Sequence, residues 1–121
     1  MESTIERLLL NRLNGNLKVL MTVQSYQIGL YTFDVEKREL KLNDETVKLT
    51  RKESYLLVYL VGNNYKLLLR NEILTAVWKE DTNPNLKSLE VYICKLRKLL
   101  SKDPNIIILN IHNKGYKMIV P

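Results

Sequence analysis

Residues Leu86 to Leu100, LKSLEVYICKLRKLL, constrain the chain more than any other stretch. Leu89, Ile93, Leu96 and Leu100 follow one another at spacings of four, three and four, which lines one face of an α-helix and predicts that this face is core. Turned away from it are Lys87, Val91, Lys95 and Lys98, with Ser88, Glu90, Cys94 and Arg97 on the flanks. The predicted solvent side is mostly cationic, so this is a helix with something anionic to lie against.

The formal net charge of +6 is not spread evenly. Residues 1 to 24 carry three basic and two acidic side chains, and residues 25 to 86 carry nine of each. From residue 85 to 117, Lys87, Lys95, Arg97, Lys98, Lys102, Lys114 and Lys117 face only Glu90 and Asp103, a local excess of +5 that overlaps the previous window at Asn85 and Leu86 alone. Net charge by itself speaks to solubility, whereas a concentrated basic patch is the electrostatic footprint of a nucleic-acid surface. A basic helix face is also a common way of keeping a surface solvated.

A chain of 121 residues with 45% hydrophobic content has room for one domain with a real core. The longest apolar run, Tyr55 to Val61, is far shorter than a membrane span and reads as a buried helix. Nothing at the N-terminus resembles a secretory signal, and the single cysteine, Cys94, has no internal disulfide partner. The expected setting is a reducing cytoplasm. One His and one Cys give no intramolecular zinc set, and none of the four glycines stands in a phosphate-cradling motif. No cofactor or metal is expected, and enzyme chemistry has little to stand on.

Taken in order, Ser3 to Leu13 reads as a short amphipathic helix with Ser3 and Glu6 in capping-box spacing, stopped at Asn14-Gly15-Asn16. Leu17 to Ser25 reads as a linker with some β character. From Tyr26 to Leu49 apolar and polar residues alternate with period two, interrupted at Gly29, at Asp34 to Arg38 and at Asn43 to Thr46. That pattern predicts an antiparallel sheet of three or four short strands. Thr50 and Glu53 form a capping box that opens a second helix, apolar on most sides and ended at Gly62-Asn63-Asn64. A short connecting strand at Lys66 to Leu69 leads to a helix over Arg70 to Lys79, and Pro84 with its neighbouring asparagines separates that helix from the basic one.

Two helices joined by a loop of about six residues make a helix-turn-helix with a long turn. After Leu100 the cluster Ser101 to Asn105 turns the chain into two strands, Ile106 to His112 and Tyr116 to Val120. Asn113 and Gly115 sit at the tip, where positive φ is needed. The predicted fold class is α+β: a winged helix-turn-helix with an N-terminal four-stranded antiparallel sheet, three helices and a C-terminal β-hairpin wing.

Four segments carry a resemblance to a known family. LTRKESYLLVYL at Leu49 to Leu60, RNEILTAVW at Arg70 to Trp78, LEVYICKLRKLL at Leu89 to Leu100 and NIHNKGYKM at Asn110 to Met118 resemble, in order and spacing, the OmpR/PhoB-type effector domains of bacterial two-component response regulators. The resemblance runs from about Tyr26 to Pro121. It implies that the third helix enters the major groove of DNA and that the wing reaches the adjacent minor groove. Lys87, Ser88, Glu90, Val91, Cys94, Lys95, Arg97 and Lys98 then match the recognition helix, and Asn110, His112, Lys114 and Tyr116 match the wing. Trp78 and the loop Lys79 to Asn85 match a segment that can contact DNA backbone or RNA polymerase. The residue chemistry agrees. Lys95 can donate to guanine O6 and N7, Glu90 can accept from cytosine N4, Val91 can cover a thymine methyl, and the remaining cations suit phosphates.

Some positions depart from the family's pattern. His112 stands where an arginine is usual, which makes a minor-groove charge weaker and pH-dependent. Asn113 replaces a usual glycine, Cys94 a polar or basic side chain, and Ser54 a residue that is often aromatic. The N-terminal STIERLLLNRLNGNLK resembles the last helix of a receiver domain with its linker, which divides the chain into residues 1–25 and a winged-helix domain over 26–121.

The resemblance implies a sequence-specific regulator of transcription that binds double-stranded DNA, head-to-tail on direct repeats as a homodimer, under receiver phosphorylation in the intact protein. A second reading has the winged helix and an exposed Trp78 loop docking a protein such as polymerase. An RNA-binding module fits less well, because the basic helix lacks an aromatic stacking platform.

Overall fold

The structure, a computed structural model, describes residues 16–78 and 86–121. The helix expected over Ser3 to Leu13 and the loop Lys79 to Asn85 lie outside the described residues. In chain order the elements are α1 (Leu17–Leu20), β1 (Ser25–Ile28), β2 (Tyr31–Asp34), β3 (Glu39–Leu42), β4 (Glu45–Lys48), α2 (Arg51–Gly62), β5 (Leu68–Leu69), α3 (Arg70–Trp78), α4 (Leu86–Leu99), β6 (Ile107–Ile111) and β7 (Gly115–Ile119). Strands β1 to β4 form an antiparallel meander, and β5, β7 and β6, in that spatial order, form a second antiparallel sheet. The α+β winged-helix architecture expected from the sequence is the one observed.

The meander follows from its turns. Gly29 (φ +57°), Arg38 (φ +55°) and Asn43 (φ +54°) each take left-handed backbone between strands, a conformation that only Gly adopts without strain and that Asn tolerates better than most. Strand β4 begins at Glu45, so the last turn is confined to Asn43 and Asp44 and is two residues shorter than the polar tetrad implied. Phe33 and Leu40 are paired in register and buried on the inner face. Thr32 and Lys41 are paired on the outer face and exposed.

The stretch read as linker opens with a helical turn instead. The Asn16 side chain caps α1 by accepting from the Lys18 amide (2.9 Å), and Leu20 is buried against Gly62, where any Cβ would come within 2.4 Å of the leucine. The Tyr26 hydroxyl donates to the Leu20 carbonyl (2.7 Å), tying this turn to β1.

Helix α2 is the centre of the core. Its capping box is complete, with Glu53 N donating to Thr50 Oγ1 (3.2 Å) and Thr50 N to Glu53 Oε1 (2.8 Å). It packs against α1, α3, α4 and β7, which explains why apolar residues wrap most of it. Leu56, Leu57 and Leu60 are fully buried, each contributing on the order of 1.5–3 kcal/mol by leaving water. Ser54 sits in the same interior with its hydroxyl unpartnered among the described residues.

One buried carboxylate joins the meander to the end of α4. Asp103 Oδ2 accepts from Leu30 N (2.8 Å), its Oδ1 accepts from Asn105 N (3.0 Å), and beside it Lys102 N donates to the Tyr31 hydroxyl (3.0 Å). The orientation of α4 is thereby fixed from both sides, by its own apolar stripe and by this turn.

Candidate nucleic-acid interface

Helix α4 divides as its sequence predicts. Leu89, Ile93, Leu96 and Leu100 are buried, while Lys87, Glu90, Val91, Cys94, Lys95, Arg97 and Lys98 are exposed and Ser88 is half-buried. Arg97 and Lys98 occupy the last turn and no acidic residue occupies the first. The cations at the C-terminal end therefore also complement the helix dipole.

Not every cation on this face is equally available. Arg97 donates through Nη2 to the Ile108 carbonyl (2.6 Å) and so braces α4 against β6. Lys95 places its ammonium 4.8 Å from the centre of the Tyr92 ring, within cation–π range. Tyr92 in turn meets Trp78 edge-on, with ring centres 5.5 Å apart at 83°, and the Lys52 ammonium lies 5.3 Å from the Trp78 ring. Trp78 is only 4% exposed. The indole is therefore packed into the core at the end of α3 and is not itself a docking surface; the loop that follows it lies outside the described residues. Tyr92 received no role from the sequence, although its i, i+3 spacing to Lys95 was the available signal.

The wing is fixed at its root and bare at its tip. Asn110, His112, Asn113 and Lys114 are exposed, and Asn113 Nδ2 lies 3.3 Å from His112 Nε2. Asn113 has φ +51°, as a tip residue replacing glycine must. Gly115 has a different reason to be glycine, since a Cβ there would stand 1.9 Å from the Leu68 carbonyl oxygen. The close approach of β5, rather than positive φ, excludes side chains. Arg70 N donates to the Lys114 carbonyl (3.1 Å), so the start of α3 holds the tip.

Tyr116 is the expected wing residue that the structure removes from the surface. It is 2% exposed, because β7 alternates and residues 116 and 118 face the core. Burial pushes its phenol pKa up, Glu90 adds to the rise, and Arg70 and Arg97 oppose it. Of the remaining expected positions, all are exposed except Ser88, which is half-buried.

Among the described residues no group of three or more His, Cys, Asp or Glu side chains could hold a metal ion. No helix among them is long and apolar enough to cross a membrane.

The family model described as "Transcriptional regulatory protein, C terminal" matches residues 44–118, more than half of the chain. The chain belongs to that family. It is a C-terminal DNA-binding domain of the OmpR/PhoB type, a family of transcription regulators. This effector domain is 47% identical over 96 residues to the transcriptional regulatory protein RprY of Bacteroides fragilis, an alignment covering 79% of the chain and 41% of that protein. It spans about two fifths of the length of the curated relatives it matches. In fold it is similar to the DNA-binding domain of E. coli CadC, with a TM-score of 0.70 and 22% identity over 78% of this chain and 91% of that one. It is also similar to the Klebsiella pneumoniae RstA DNA-binding domain, solved in complex with the RstA box, with a TM-score of 0.66 and 24% identity over 82% of this chain and all of that one.

Proposed function

We propose that the effector domain reads double-stranded DNA in a sequence-specific way, with α4 in the major groove and the β6–β7 wing at the adjacent minor groove. The observation that carries this reading is the exposed face of α4. Lys87, Lys95 and Lys98 stand on it beside Glu90 and Val91, while the opposite face is wholly core. Cations at this density suit phosphates, and the mixture of an ammonium, a carboxylate and a branched methyl suits the edges of guanine, cytosine and thymine. The work of the chain is binding, with no catalytic step, and it acts in the cytoplasm.

The same reading extends to the intact protein. The chain is the C-terminal part of a response regulator, residues 1–25 are the end of a receiver domain and its linker, and receiver phosphorylation controls pairing. Two copies bind direct repeats head-to-tail, with half-sites about one helical turn apart. The loop Lys79 to Asn85 faces RNA polymerase.

Fluorescence anisotropy with a pool of random-sequence duplexes across a salt series, followed by sequencing of what stays bound at high salt, tests the central statement. Sequence-specific binding gives a steep negative dependence of log K on log salt and enrichment of one repeated motif. A flat dependence with no enrichment would transfer α4 and the wing to a protein partner.

A further inference from the structure

We infer that Tyr92 is a positioning residue that aims Lys95 at a base edge, fixing which base pair that lysine reads. The inference rests on α4 being the DNA-reading helix. Three helices build the support. Trp78, at the end of α3, is buried with the Lys52 ammonium of α2 at 5.3 Å from its ring. The Tyr92 ring stands edge-on against it at 83°, half-buried, and Lys95 lies over Tyr92 at 4.8 Å. A buried indole holds the phenol ring, and the ring holds the ammonium of a side chain that is exposed among the described residues.

An unsupported lysine is a flexible point charge on a four-carbon stem. On this surface it could reach the phosphates of either strand as easily as a base, and phosphate contacts carry no sequence information. Packing over Tyr92 draws the ammonium back one turn, toward the N-terminal end of α4. That is the direction helical side chains already lean, and it is the end of a recognition helix that meets base edges. The ring therefore turns a general cation into a directed donor.

The test uses a duplex that the full chain selects from a random pool, together with its single-base-pair variants. Lys95→Ala first identifies the base pair at which discrimination is lost. Tyr92→Leu is then expected to reduce discrimination at that same base pair by about two- to fivefold, the factor corresponding to an exposed cation–π contact. Discrimination elsewhere, affinity for random duplex and the salt slope stay unchanged. Tyr92→Phe, which keeps the ring, restores the wild-type profile, and in a Lys95→Ala background Tyr92→Leu has no further effect at that position.

Unchanged discrimination in a folded Tyr92→Leu chain overturns the inference, as does a Tyr92→Phe chain that behaves like Tyr92→Leu. NMR of the unmodified free protein gives a reading that no folding defect can blur. The Lys95 ε-methylene protons should lie upfield of those of the other lysines through the Tyr92 ring current, and an ordinary lysine shift overturns the inference. If Lys95→Ala changes no single base pair, the reading of α4 itself fails, a result separate from either.

Discussion

Lys95 and Lys98 lie less than one turn apart on the exposed face of α4, yet they are expected to do different work. Lys95→Ala should weaken binding chiefly at one base pair of a cognate site, by about 1–3 kcal/mol. Lys98→Ala should weaken all duplexes alike and lower the salt slope by about one. Titrations of both variants against a cognate and a scrambled duplex at several salt concentrations check the pair, and identical losses on both duplexes for both variants would refute the division. Inside the core the informative residue is Ser54. Its hydroxyl is fully buried without a partner among the described residues, and such a group carries a desolvation cost with no compensating bond. Ser54→Ala is expected to raise the unfolding free energy by about 1 kcal/mol in urea titrations. A loss of stability would mean that the hydroxyl is satisfied in solution.

At the scale of elements, the parts most legible in the sequence were those fixed by local rules. The capping box at Thr50 and Glu53, the four-three-four stripe of α4 and the period-two strands of the meander all stand where their spacing put them. What the sequence hid depends on contacts between distant segments. Leu17 to Leu20 looked like linker because a single turn has no periodicity to detect, and its helix is held by an Asn16 cap and by Leu20 against Gly62. Tyr116 looked like a wing contact because the hairpin's inward and outward phase is set by β5, which is only two residues long. Trp78 precedes a polar loop in the sequence, and no local pattern shows that the Tyr92 ring meets it edge-on. The same β5 contact gives a prediction for the wing. Gly115→Ala drives a methyl onto the Leu68 carbonyl, so β5 and β7 must separate, at a cost of about 1–3 kcal/mol by analogy with overpacked cores. Thermal unfolding measures that cost, and faster amide exchange at Leu68 and Tyr116 would locate it. The Asp103 tie belongs to this scale too. Asp103→Ala leaves the Leu30 and Asn105 amides without their carboxylate, an expected loss of about 1.5–3 kcal/mol, and unchanged stability would show that water replaces it freely.

Across the whole molecule, three tyrosines mark three separate regions that must pack together for α4 to be presented. Tyr26 lies in β1, Tyr59 in α2 and Tyr116 in β7, and burial pushes the phenol pKa of each above the ordinary 10.0, with Glu72 adding to the rise at Tyr59. A phenol whose pKa is raised by folding is disfavoured as the phenolate in the folded state. Its contribution to stability is therefore fully present below pH 10.0 and is lost as pH rises from there through the folded value. The unfolding free energy should stay level with respect to these groups through neutral pH and fall in the alkaline range, where the unfolded chain releases phenolic protons that the folded chain still holds. Urea titrations at successive alkaline pH values measure the fall, and the ultraviolet absorbance of phenolate in the folded chain follows the tyrosines directly. Tyr26→Phe should make the alkaline fall shallower while lowering stability at neutral pH, since it also removes the bond to the Leu20 carbonyl. If all the tyrosines of the folded chain ionised together in the range of the unfolded chain, then the meander, the central helix and the wing would not be shielding them, and the packing that holds α4 outward would be looser than the structure describes.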